Sequence, residues 1–146
     1  MDNDWKEKGF YYEVKHDKER EIKRIKTKLL LDGAIEWAKK FVGARPELKS
    51  AQIRRFYHDV KALEAKINAA EDNGFEMNLP LIKMLKSKVA YACPEKDFKG
   101  RKVPKEFKEF MDKCIDGIKE PDDFKAFALV FEAVVGYFYG EGGRQS

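Results

Sequence analysis

The sequence holds little of what covalent catalysis uses: three serines (Ser50, Ser87, Ser146), one threonine (Thr27) and two histidines (His16, His58). Activating such a nucleophile takes a neighbouring base that an acidic group orients, and none of these residues stands in a recognised nucleophile motif. His58 falls on the polar side of a strongly amphipathic stretch, where a solvated imidazole is the simpler reading, and His16 lies in a charged approach segment. Cysteine is as scarce: Cys93 and Cys114 stand 21 positions apart, with no CxxC or Cys/His cluster to suggest a disulfide or a metal. Gly140, Gly142 and Gly143 follow the last apolar stretch and lack the lysine and helix that a phosphate-binding loop requires. Asp122-Asp123 reads as helix capping rather than as an acid/base pair. The expectation is a protein with no catalytic residues, no cofactor and no metal.

Long apolar runs are also missing. Nothing approaches the roughly 20 residues that span a bilayer, and Met1–Lys8 is too charged for a secretory signal, so a cytoplasmic protein without membrane contact is expected. Serine and the side-chain amides are few beside 30 Lys and Arg and 26 Asp and Glu, a balance that resembles thermophile composition. With 146 residues, 43% of them hydrophobic, the chain suits one soluble domain with one core. Charge is unevenly placed: residues 1–105 carry 25 basic and 17 acidic side chains, net +8, whereas residues 106–146 carry 5 and 9, net −4. Such asymmetry either presents a basic face to a polyanion or is uneven solubilising decoration.

Helical periodicity organises most of the chain. Ile22, Ile25 and Leu29, and then Leu31, Ile35, Ala38 and Phe41/Val42, recur within each run at steps of three and four, which predicts a helix capped by Asp17, interrupted at Asp32-Gly33 and ended by Gly43 and Pro46. The strongest helix is expected over 51–71, with Ser50 as N-cap and Ile53, Phe56, Tyr57, Val60, Leu63 and Ile67 on one face. Asn73-Gly74 stops it. Asn78-Leu79-Pro80 then opens another, with proline in the first turn and Leu81, Ile82, Leu85, Val89 and Ala92 inside. Residues 93–103, with Pro94, Gly100 and many charges, read as an exposed connection. A helix from Pro104 to about Ile118 follows, with Cys114 as a small core residue. The last helix, about Asp122–Tyr139, is apolar nearly all round, so it is either central in the bundle or shared with a second copy of the chain. With no β-alternation or repeat competing, the expected fold is all-α, a bundle of five to six helices over 17–139, with 1–16 flexible or partly ordered and 140–146 a flexible tail.

The cations offer a mechanism. At about 100° per residue, Arg54, His58 and Lys61 share one flank of the 51–71 stripe, and Arg55 and Lys66 the other, while Lys49 lies just ahead of the helix. In the later connection Lys96, Lys99, Arg101, Lys102 and Lys105 oppose only Glu95 and Asp97. Cations at this density neutralise phosphates and give salt-sensitive affinity without base reading. The same residues equally suit a solvated surface on which Arg55 pairs with Asp59 at i,i+4. Tyr11, Tyr12 and Tyr91 either stack on bases or pack.

The run Lys49-Ser50-Ala51-Gln52-Ile53-Arg54-Arg55-Phe56-Tyr57, followed by Val60-Lys61-Ala62-Leu63-Glu64, resembles the most recognisable stretch of the small subunit of the type III-A CRISPR effector, the Csm complex. Leu79-Pro80-Leu81-Ile82-Lys83, the continuation Lys88-Val89-Ala90-Tyr91 and the aromatic ending Phe131–Phe138 extend the likeness over about 25–140. The resemblance implies a non-catalytic subunit of an antiviral ribonucleoprotein. Several copies would stack beside backbone subunits that hold a guide RNA, with large subunits as further partners. Cleavage and nucleotide signalling would belong to other subunits. Carried over by position, Arg54 and Arg55 match the basic part of the family motif, and Lys49 and Gln52 lie near the helix start that faces guide and target RNA. Lys61, Lys86 and Lys88 are weaker candidates, and the basic connection at 96–105 is longer or more charged than in the family. Two other readings stay open: a free-standing helical DNA-binding regulator, which needs a base-reading recognition helix, and a protein-interaction adaptor.

Overall fold

A computed structural model describes residues 4–143. The chain is mostly helical, with a small three-stranded antiparallel sheet at its start. The strands are β1 (Lys6–Lys8), β2 (Tyr12–Asp17) and β3 (Arg20–Ile25), in the order β1-β2-β3. The helices are α1 (Thr27–Leu30), α2 (Asp32–Gly43), α3 (Ser50–Ala69), α4 (Gly74–Ala92), α5 (Lys105–Asp116) and α6 (Pro121–Gly140), with a 3₁₀ turn at Phe98–Gly100.

The sheet corrects the all-α expectation and the helix expected from Asp17. Ile22 and Ile25 have helical spacing, yet they lie on β3, which pairs with β2 from Asp17↔Arg20 to Tyr12↔Ile25. The turn between these strands is Lys18-Glu19, with Lys18 in the left-handed region at φ 60°. Lysine there does not give the Asn-Gly or Asp-Gly signal that marks a hairpin. The sheet is held by specific anchors rather than by a broad apolar face. Tyr11 is buried, and its hydroxyl donates to the Cys114 carbonyl at 2.6 Å, while Tyr12 donates to the Asp122 carbonyl at 2.6 Å. Lys23 Nζ lies 2.7 Å from Asp122 Oδ2, and this bond holds the Asp122 carboxyl below its ordinary value. Within the segment expected to be flexible or partly ordered, 1–16, residues 6–8 and 12–16 lie in β1 and β2; residues 1–3 lie outside the described residues.

Helix α6 is the centre of the bundle, packing on α1, α2 and α3. Phe124, Phe127, Phe131, Val134 and Phe138 are buried, and Leu129 is its one exposed large apolar side chain. Its nearly continuous apolar surface is thus mostly covered within the chain. Phe41 of α2, Phe107 and Phe110 of α5 and Phe131 of α6 meet edge-on or tilted, at centroid separations of 5.5 to 6.2 Å, the geometry aromatic quadrupoles favour. Cys93 and Cys114 are free and buried, and burial pushes the Cys114 thiol up to about 12.

Two helix boundaries differ from the sequence expectation. The break at Leu31, just ahead of Asp32-Gly33, separates α1 from α2. Helix α4 begins at Gly74, four residues before Asn78, and continues through Pro80. Asn73, left-handed at φ 57°, turns the chain, Met77 N–H donates to its carbonyl, and buried Phe75 anchors the first turn. The inner face of α4 is Phe75, Asn78, Ile82, Leu85 and Val89, and Leu81, expected inside, is exposed. At the end of the chain Gly140 closes α6, and residues 144–146 of the expected tail lie outside the described residues.

Candidate nucleic-acid interface

Helix α3 positions most of the candidate residues. Ile53, Phe56 and Val60 are buried, and the helix packs between α4 and α6, so the side chains opposite that stripe must face water. Arg54, Arg55, His58 and Lys61 are all exposed. Tyr57, on the Arg54 flank, donates to Glu132 Oε1 of α6 at 3.1 Å. Arg55, on the opposite flank, lines a groove shared with α4. The two arginines therefore stand on either side of one exposed ridge.

The seven candidates separate by what already holds them. Lys61 Nζ is 2.7 Å from Glu64 Oε1, Lys86 Nζ is 2.7 Å from Asp116 Oδ1, and Lys88 Nζ is 3.5 Å from Asp59 Oδ2. The hydrogen bond to Glu64 raises the Lys61 ammonium's pKa, and the hydrogen bond from Lys86 lowers that of Asp116. Arg54 and Arg55 have no ion-pair partner among the described residues. Asp59, available in sequence to pair with Arg55, pairs across the groove with Lys88 instead.

Gln52 has a structural task. Its Oε1 accepts from the Lys49 backbone N–H at 2.9 Å, half of a capping box satisfying one of the helix's first donors. Its Nε2 donates to the Lys102 carbonyl. This amide ties the start of α3 to the basic connection, while Lys49 itself stays exposed. The connection is further ordered by Arg101, whose guanidinium donates to the Pro94 and Glu95 carbonyls at 2.8 and 3.2 Å. Backbone N–H groups of Lys102 and Val103 both donate to the Ala92 carbonyl, at 2.7 and 3.2 Å. Lys102, which the sequence placed only in a charged loop, is thereby brought to the edge of the α3–α4 groove.

The groove has a volume of about 680 Å³, with Phe56, Ala92 and Val103 among its apolar lining and Arg55, Lys88 and Lys102 among its cations. Tyr91, which also lines it, is 82% exposed, whereas Tyr11 and Tyr12 spend their hydroxyls on the core contacts described above. Sequence periodicity had no means of separating these three tyrosines. The arrangement supplies positive charge, an apolar surface and one free ring, which is a set for binding.

Comparison with known proteins adds the family. The model of the family Csm2 Type III-A matches residues 13–143. The chain belongs to that family. The match reaches from β2 through α6, so it includes α3, the groove and the basic connection, and it makes the chain a small subunit of the type III-A Csm complex. No curated protein and no solved structure matches it. Among the described residues no helix is long and apolar enough to cross a membrane.

Proposed function

We propose that this subunit lies beside the backbone subunits of a cytoplasmic antiviral complex and holds guide-paired target RNA by its phosphates, with no catalytic step of its own. Arg54, Arg55 and Lys49 make the contacts, and Gln52 positions them by fixing the start of α3. The observation that supports this reading is the pair of arginines flanking the exposed ridge of α3, neither engaged by a carboxylate among the described residues. Guanidinium keeps its charge at any physiological pH and presents a planar fork that matches phosphate oxygens. Lys61, Lys86 and Lys88 add general positive potential, since a phosphate reaching them must compete with a carboxylate. Each contact is weak alone, but copies repeated along an assembled RNA compound them.

The test is to purify the tagged chain from its native cells at mild salt and to sequence the RNA that accompanies it. Repeat-derived guide RNAs arriving with several larger proteins are the expected result. A single stoichiometric protein partner with no RNA contradicts the reading and favours an adaptor.

A further inference from the structure

We propose that the α3–α4 groove binds one unpaired nucleotide of the RNA, its base stacked on Tyr91 and its phosphate held by Arg55 and Lys102. This inference rests on the RNA-contacting reading above and adds a position and a conformational preference to it.

The ring comes first. Tyr91 follows the inner residues of α4 by only two positions from Val89, yet its side chain is 82% exposed. It borders a groove whose apolar lining includes Phe56, Ala92 and Val103, so a flat apolar ligand lying against the ring can reach further apolar surface. The groove's volume of about 680 Å³ falls within the roughly 300–1,000 Å³ typical of small-ligand pockets. That is room for one nucleotide.

Charge decides the class of ligand. Of the groove's charged residues, Asp59 and Lys88 face each other at 3.5 Å, leaving Arg55 and Lys102 as a net positive pair. Lys102 is exposed, but its backbone is tied to the groove. Its N–H and carbonyl are both bonded, to the Ala92 carbonyl and the Gln52 amide, and its Nζ sits 6.0 Å from the centre of the Tyr91 ring. An aromatic face next to a cation is the combination that single-stranded nucleic acid uses, base on ring and phosphate on cation. A base inside a duplex has both faces covered by its neighbours and cannot reach such a ring, so the occupant must be splayed out of the helix.

The test uses the assembled complex carrying the full chain, with target RNA in which 5-iodouridine replaces uridine. Irradiation should give an adduct that maps to Tyr91. Tyr91→Phe should retain RNA normally, and Tyr91→Ala should weaken retention about tenfold, within the range measured for loss of one stacked base. Phe98→Ala serves as the control: its ring is 73% exposed but lies outside the groove lining, and its removal should leave the Tyr91 adduct in place. Adducts confined to α3 peptides, with Tyr91→Ala retaining RNA normally, overturn the groove assignment while leaving the arginine contacts standing. Absence of any adduct on this chain, together with unchanged retention after loss of Arg54 and Arg55, overturns both. Tyr91 shielded from modification in a complex free of target RNA, with no adduct to the guide RNA, identifies a protein occupant and also overturns the proposal.

Discussion

At the scale of single residues, the positive side chains around α3 are unequal. Lys61 and Lys86 each have a carboxylate at 2.7 Å, whereas Arg54 and Arg55 have no such partner among the described residues. Alanine at Arg54 or Arg55 should therefore lower target-RNA retention more than alanine at Lys61 or Lys86, although each change removes one charge. A filter-binding series on the four single variants of the complex checks this; four equal losses would mean that only overall charge matters. Residue type and helical phase place the exposed arginines from sequence alone. What could not be read there is the pairing, because Asp59 chooses between Arg55 on its own helix and Lys88 on the next by a three-dimensional distance. The exposure of Tyr91 is hidden for the same reason: in sequence it stands beside Val89 and Ala92 and has no mark to distinguish it from a packed ring.

At the scale of elements, close approach at the α3–α4 turn is set by glycine. A Cβ at Gly74 would collide with the Ile67 carbonyl, whereas one at Gly136, in the middle of α6, would meet nothing within 4 Å. Gly74→Ala should cost about 1–3 kcal/mol through overpacking, and Gly136→Ala should gain about 0.5–1 kcal/mol through helix propensity and a less flexible unfolded chain. Urea unfolding midpoints of the two variants should move in opposite directions. The later helices were readable because their buried positions repeat over three or more turns: Phe107, Phe110, Met111, Cys114 and Ile115 in α5 are all buried, as their spacing predicts. The sheet was not readable because its strands are short and heavily charged. Its two isoleucines happen to fall three apart, and its turn uses Lys18 at a position where glycine or asparagine would have given the hairpin away. The early start of α4 is not legible in the sequence because Pro80 reads as a first-turn residue, while the helix tolerates it farther in.

At the scale of the whole molecule, two buried groups where the N-terminal segment meets the bundle resist ionisation. Burial pushes the Cys114 thiol from its ordinary 9.0 up to about 12, and raises the Tyr11 phenol, whose ordinary value is 10.0, still further. In the unfolded chain both titrate at their ordinary values, so above about pH 9 the unfolded state binds fewer protons than the folded one. Stability from these two groups is complete below that point and is lost as pH rises towards their folded values, at about 1.4 kcal/mol per pH unit for each group titrating only when unfolded. The urea midpoint should accordingly fall from pH 9 to pH 11. The fall should shrink in Tyr11→Phe relative to that variant's own value at pH 8; an unchanged slope in Tyr11→Phe would remove the tyrosine from this account.

The same scale governs function, because a subunit that contacts RNA through phosphates betrays it by its response to salt. The most direct measurement is retention of target RNA by the assembled complex, titrated with salt, for the unaltered chain and for Arg54→Ala/Arg55→Ala. If each arginine neutralises one phosphate, the double variant should fold and assemble normally, and the slope of log affinity against log salt should become shallower by about 1.4 to 1.8. Superimposable titrations of the two complexes would contradict the account and leave α3 as a surface that protein, not RNA, covers.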